Sequence, residues 1–405
     1  MSVSAESSSL KRSMNLLTLS FYGLGTIIGA GIYVLIGELA DTAGQYMPVS
    51  FLLAGAIALL TGLSYCELSS RYPICAGVSV YVDRAWGLNW LSALCGWLII
   101  LTGIVSAAAI SNGFAGYLGV FVELEAHWAI IFLCLVLGLI AVFGIRLSAA
   151  TVFLVTTIEV AGLAYIVWIT YGMEPLATQN TATQAGADPA FSGILLGSFL
   201  AFYAFIGFED MVNVVEEVKR PRVNMPLGII LSIALASICY MVVAFAVLRV
   251  SSPADLAAGN APLADLVERS GRDPGFIGGI SLLAVINGAL VQIIMASRVL
   301  YGMGKMQLAP AGLAQIAGKT RTPIFATGLV TAMVMVFALL LPLESLARLT
   351  SAVMLVIFAI VNLALIVIKS RSANTQAGFS IPVLIPALGI LSSLFLLGYQ
   401  IWNLF

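Results

Sequence analysis

Two kinds of residue stand in this chain where their presence is costly: glycines and carboxylic acids, both inside long apolar runs. Residues 20–37 read Ser-Phe-Tyr-Gly-Leu-Gly-Thr-Ile-Ile-Gly-Ala-Gly-Ile-Tyr-Val-Leu-Ile-Gly, with glycine at 23, 25, 29, 31 and 37. Each glycine lowers helix stability by about 1 kcal/mol relative to alanine. A segment that only had to cross lipid would not collect five. The spacing predicts a helix that breaks near Ile28–Gly31 and leaves N–H and C=O groups bare. In an apolar surrounding such groups must be met by protein or by a polar cavity. Tight helix packing is the competing account, because Gly25-x-x-x-Gly29 is also a pattern of small residues four apart.

The acids are fewer. Glu159, Glu209 and Asp210 are the ionisable groups that fall well inside apolar runs. Each costs about 2.5–3.5 kcal/mol at the middle of a membrane helix, so use in proton or ligand binding is the default expectation. Burial favours the neutral form of a carboxylic acid, which would let such a group exchange protons near neutral pH. The structural alternative for Glu159 is a hydrogen-bonded neutral acid. For Glu209 and Asp210 it is capping of a broken helix end, with Asp210 the better cap and Glu209 the better proton site.

The elements that must position these residues are membrane helices. The chain has 405 residues, 61% hydrophobic and 9% charged, with a mean hydropathy of +1.07; a soluble protein carries roughly 25% charged residues. A crossing helix needs about 20 mostly apolar residues. Eleven runs qualify: 16–38, 47–66, 89–120, 128–145, 149–171, 190–215, 227–248, 276–300, 323–343, 349–368 and 379–403. The polar start lacks a cleavage site after a short apolar core, so no signal peptide is expected. With the N-terminus inside, one set of loops holds fourteen Lys and Arg residues, among them Lys11, Arg71, Arg146, Lys219, Lys319, Arg321 and Lys369. The other set holds four: Arg249, Arg269, Arg272 and Arg348. This asymmetry predicts a cytoplasmic N-terminus in the cell's plasma membrane, the inner membrane where there are two. Residues 67–88 predict an interfacial helix on the cytoplasmic side, residues 251–275 a short amphipathic stretch over the external mouth, and residues 172–189 an exposed loop.

Other chemistries have little support. Cys66, Cys75, Cys95, Cys134 and Cys239 match no metal or disulfide spacing and read as small buried thiols. The single histidine, His127, lies in a short loop. There is no Gly-rich Lys-Ser/Thr loop for ATP, and a net charge of −1 gives no nucleic-acid signal. No catalytic constellation is evident; we expect no enzyme, no metal site and no cofactor.

The order of the runs carries a weak internal repeat. Ser20-Phe21-Tyr22-Gly23 opens the first span, and Ala201-Phe202-Tyr203-Ala204 lies at the corresponding place in the sixth, where Ile206-Gly207-Phe208-Glu209-Asp210 follows. Each interrupted span is followed by four more. Five spans then five put equivalent elements on opposite sides of a bilayer, as an inverted repeat requires. The expected organisation is one transmembrane domain over 1–405, with repeats at 16–171 and 190–368 and an additional C-terminal helix at 379–403.

These residues also carry a resemblance. Gly29-Ala30-Gly31-Ile32 resembles the first-span element of the amino acid–polyamine–organocation transporters, and Phe205-Ile206-Gly207-Phe208-Glu209 resembles their sixth-span break. Glu216-Glu217-Val218-Lys219-Arg220-Pro221-Arg222 followed by Met225-Pro226 looks like the loop that comes next in that family. Tyr65-Cys66-Glu67-Leu68-Ser69-Ser70-Arg71-Tyr72-Pro73 looks like its second-span end, and Ala296-Ser297-Arg298-Val299-Leu300-Tyr301 like its eighth. The ordered set spans residues 15–370.

The resemblance implies an all-α integral membrane protein of about eleven helices, with the five-plus-five inverted-repeat fold shared with sodium-coupled neurotransmitter transporters and with discontinuous helices 1 and 6. It implies an amino acid held between those helices. The carboxylate would meet N–H groups around Gly29, Ala30 and Gly31, and the ammonium the carbonyls of Ile27, Tyr203 and Ile206. Tyr203 would be an aromatic gate, with Phe208 beside it. Ile27, Ile28, Phe202 and Phe208 would make surroundings suited to a neutral side chain; Glu209 or Asp210 facing the pocket would favour a cationic amino acid or polyamine instead. The physical basis is independent of the resemblance. A half-helix start carries about +0.5 charge and a half-helix end about −0.5, and a zwitterion fits both. This sequence departs from the family in lacking the serine often found where Ala30 stands, and in placing Glu159 near a position that is often lysine. The family also commonly has twelve spans.

The expected function is secondary active transport of a neutral amino acid by alternating access, coupled to protons, with obligate exchange or sodium coupling as alternatives. A membrane sensor would use the same site without flux; for a channel, the broken helices and short loops suit alternating access better than an open pore.

Overall fold

The computed structural model describes residues 12–73, 77–143, 149–176, 189–316, 322–371 and 378–403. Cys75, Lys11, Arg146, Lys319, Arg321, most of the expected loop at 172–189 and the side chain of Ala30 lie outside the described residues.

The described residues are almost wholly helical. Helix α1 (Leu16–Ala43) starts at a capping box: Asn15 Oδ1 accepts from the Thr18 N–H and Thr18 Oγ1 from the Asn15 N–H, both at 2.9 Å. The backbone leaves helical geometry inside α1 at Gly29 (φ 11°, ψ −113°), within the segment that the glycine spacing singles out. Helices α2 (Met47–Arg71), α3 (Gly77–Trp86), α4 (Asn89–Leu118), α5 (Ala126–Phe143) and α6 (Ala149–Gly172) follow. Helix α7 (Pro189–Phe202) stops early. It passes through a 3₁₀ turn at Tyr203–Phe205, an extended Ile206 and Gly207 at φ 129° into a 3₁₀ stretch, Phe208–Glu217. The span expected at 190–215 is therefore discontinuous, with its break at the expected glycine, Gly207. Then come α8 (Pro221–Leu248), the short α9 (Pro253–Ala257) and α10 (Pro262–Arg269), α11 (Gly275–Lys305), α12 (Ile324–Leu340), α13 (Leu343–Arg371) and α14 (Leu384–Trp402).

Nine helical runs among the described residues are long and apolar enough to cross a membrane; the first, 56 residues long, contains both α1 and α2. Counting that run as two and adding the shorter α12 gives one helix for each of the eleven expected spans. Large apolar side chains such as Phe132, Phe143, Trp168, Phe245 and Phe325 point outward, as lipid contact requires and water would not tolerate in such number. Close approach inside uses small residues. A Cβ on Gly103 of α4 would sit 3.0 Å from that of Ala296 on α11, and one on Gly31 only 3.0 Å from that of Ala204. Helix α3 falls within 67–88, the stretch expected to hold an interfacial helix. Helices α9 and α10 cover the far end of α1, where Gly37 faces Leu256 and Pro262.

Candidate functional site

The two helix breaks face each other. Gly207 lies so close to α1 that a Cβ there would run into the Thr26 carbonyl oxygen; its positive φ independently favours glycine. Thr26 Oγ1 donates to the Gly207 carbonyl at 3.1 Å. The Tyr240 hydroxyl, from α8, lies 2.8 Å from both the Ile27 and the Ala204 carbonyl oxygens and donates to one or the other. One tyrosine therefore spans both unwound strands.

Between the breaks lies a cavity of about 40 Å³, room for roughly three water molecules. Of the residues expected at a binding site, Ile27, Gly29, Gly31, Tyr203 and Ile206 are on its wall. Nothing stands within 4 Å of the position a Gly29 Cβ would take, so this backbone is open to the cavity. Tyr203 is buried, and its hydroxyl lies 3.2 Å from both the Ser106 hydroxyl and the Ser106 carbonyl oxygen on α4. It thus ties the sixth-span break to α4. Ile28 and Phe202 are fully buried in helix packing instead of lining the cavity, and Phe202 packs edge-on against Phe358. Phe208 sits in an aromatic cluster with Tyr65 and Phe358, at ring separations of 5.7 and 5.1 Å, and not on the cavity wall. Ala30 contributes helical backbone.

The cavity also has polar walls that the sequence reading did not name: Ser106 of α4, and Asn287 and Gln292 of α11. The signal existed, since an amide five residues from another inside an apolar helix is itself costly. A search confined to ionisable groups passes over it.

A second, larger chamber of about 350 Å³ lies below, on the side of the N-terminal segment, sharing Ile206 and Gln292 with the cavity. Glu209, Asp210 and Arg298 are all on its wall. The helix cap here is Glu209 and not Asp210: Glu209 Oε2 accepts from the Gly207 N–H at 2.9 Å. That corrects the expectation from sequence. The shorter reach of Asp210 does not turn back to this N–H, while one more methylene does.

Glu159 is on neither wall. It is fully buried on α6 behind the α1 break, and neither carboxyl oxygen has a hydrogen-bond partner. Its main-chain carbonyl accepts from the Tyr33 hydroxyl at 2.6 Å. Tyr33 from α1 and Tyr240 from α8 are titratable groups near its carboxyl. One buried acid was missed. Glu67, at the end of α2, is fully buried, with Arg71 at 2.6 Å and Lys369 of α13 at 2.8 Å. It also accepts from the Ile381 N–H at 2.8 Å. From sequence it falls one residue past the expected span. Among the described residues no group of three His, Cys, Asp or Glu side chains is placed to hold a metal ion.

Comparison with known proteins fits this architecture. The amino acid permease family model matches residues 14–404. The chain is 29% identical over 410 residues to the branched-chain amino acid permease BcaP of Bacillus subtilis, covering 96% of this chain and 88% of the relative. It is 27% identical to the methylthioribose transporter of the same organism, covering 100% and 90%. It is 29% identical to cationic amino acid transporter 4 of Mus musculus, covering 92% of this chain and 62% of that longer protein. The chain belongs to the amino acid permease family.

Proposed function

We propose that this permease carries out proton-coupled uptake of neutral aliphatic amino acids across the plasma membrane, with its N-terminus in the cytoplasm. The observation that carries the reading is the meeting of two broken helices at a cavity that offers glycine backbone at Gly29 and aliphatic walls at Ile27, Ile110, Val152, Ile206 and Val291. The amino group and carboxylate would be held by backbone poles, and the apolar side chain by these walls. The room in this state is small, so substrate entry requires the wall to part. Tyr203, hydrogen-bonded across to Ser106, is the group whose release would open it. The repeats at 16–171 and 190–368 would rock against one another around the paired breaks.

Glu159 is the proton site this reading favours over Glu209 and Asp210. Its carboxyl has no competing partner and stands next to the tyrosines that hold the α1 break, whereas Glu209 is committed to the Gly207 N–H. A cationic amino acid is the second reading, supported by Glu209 and Asp210 in the adjoining chamber.

The test is uptake of labelled L-leucine into proteoliposomes. An inward proton gradient should concentrate leucine without sodium, and internal leucine should stimulate counterflow. Arginine uptake with leucine excluded would move the substrate to the second reading. Exchange without concentration would make the protein an obligate exchanger, and binding without flux a sensor.

A further inference from the structure

The lower chamber has more room than the cavity between the breaks and holds a set of polar groups that packing alone does not use. Tyr65 lines it. This side chain is fully buried, its ring fixed by edge contacts with Tyr81, Phe208 and Phe358, and its hydroxyl has no hydrogen-bond partner. A buried hydroxyl left unmet forfeits its water hydrogen bonds without replacement, which is costly. Among the described residues, the side chains of Asp210, Asn213 and Arg298, all on the chamber wall, have no hydrogen bond or ion pair either. A carboxyl group and a guanidinium therefore face one space, each with its bonding capacity open. The remaining wall is aliphatic and thioether: Met295, Met303, Met306 and Met354 line it with Val299 and Ile357. Methionines conform to apolar groups of varied shape. Arg298 and Met306 are exposed, so the chamber communicates with the aqueous side that carries the N-terminal segment.

We propose that this chamber is a second amino-acid site, filled from the N-terminal side, in which Arg298 takes the carboxylate, Asp210 the ammonium, Tyr65 and Asn213 the remaining polar contacts, and the methionine wall the side chain. The inference rests on the reading that the protein handles amino acids, but it concerns a place distinct from the paired breaks. Ile206 and Gln292 separate the two spaces and belong to both walls. An amino acid held in the chamber would therefore stand directly on the path out of the upper cavity.

The experiment uses the full-length protein with Cys75 and Cys239 replaced by alanine and Ser79→Cys as a reporter on the chamber wall. Labelling by a small methanethiosulfonate reagent is followed with and without L-leucine. Leucine should slow the labelling saturably, and should still do so when Gly31→Val has disabled the upper cavity. Protection should be lost in Tyr65→Phe/Asn213→Ala. It should also be lost in Arg298→Gln, an exposed position whose change spares the packing. Absence of protection in a protein that still takes up leucine overturns the chamber site and leaves the transport reading standing. Protection that disappears with Gly31→Val also overturns it, because one site then accounts for both effects. Protection that survives in a protein with no uptake keeps the chamber site and removes the transport reading.

Discussion

Two glutamates among the described residues are fully buried, Glu67 and Glu159, and they are treated in opposite ways. Glu67 has Arg71, Lys369 and the Ile381 N–H around its carboxylate, and Lys369 in turn donates to the Ile381 carbonyl at 2.6 Å. Glu159 has nothing at either oxygen. Removing two charges from water costs several kcal/mol each and is offset only where geometry is good and remaining hydrogen bonds are met. Around Glu67 both conditions hold, and the cluster fastens α2, α13 and the entry to α14 to one another. Around Glu159 neither holds. A fold does not need an acid there, so the group is retained for something the static packing does not use.

The sharpest way to break the comparison is Glu67→Ala. It leaves Lys369 and Arg71 facing each other without a counter-charge, and we expect a loss of about 3–5 kcal/mol, read as lost yield and a large fall in thermal stability in detergent. Glu67→Ala/Lys369→Met should recover part of that. A single mutant as stable as wild type would make the cluster ornamental and remove the contrast.

Glu159→Gln comes next. The amide keeps the shape and removes the titration, and no partner is orphaned, so stability should change by no more than about 1 kcal/mol. Uptake should lose its dependence on external pH while exchange persists. If Glu209→Gln flattens the profile and Glu159→Gln does not, the proton site is at the sixth-span break, and the unpartnered carboxyl of Glu159 has no role in coupling.

The sequence makes the two breaks legible because glycine clusters and acids are anomalies against an apolar background, and anomalies survive without knowledge of tertiary contacts. Gly29 and Gly207 are where the backbone departs from the helix. The contents of the walls were less legible. Ile28 and Phe202 have the same composition signal as Ile27 and Tyr203, and only the rotation of each broken end decides which face meets the cavity. Tyr240 could not be found at all: one tyrosine among thirteen, its role depends on α8 passing behind both breaks. Glu67 escaped because burial at a helix end depends on what covers it, here α13 and the segment at 378–383, distant in sequence by about three hundred residues.

The smallest expected effect on uptake concerns Tyr33, the residue closest to testing whether Glu159 is alone. Its hydroxyl donates to the Glu159 carbonyl at 2.6 Å, and its own carbonyl accepts from the Tyr117 hydroxyl at 2.6 Å. The chain of contacts thus runs from α4 through α1 to α6 along main-chain oxygens and does not touch the carboxyl. Tyr33→Phe removes one buried hydrogen bond whose acceptor sits in a helix interior, where a carbonyl also has its own turn to bond to. The expected loss is about 0.5–1.5 kcal/mol, seen as a modest fall in melting temperature, with the pH profile of uptake unchanged. The opposite pattern would be more informative: stability retained but the profile shifted. It would mean that the hydroxyl turns from the carbonyl to the carboxyl during the transport cycle. Glu159 would then have a partner in a state other than this one, and the contrast with Glu67 would be one of timing.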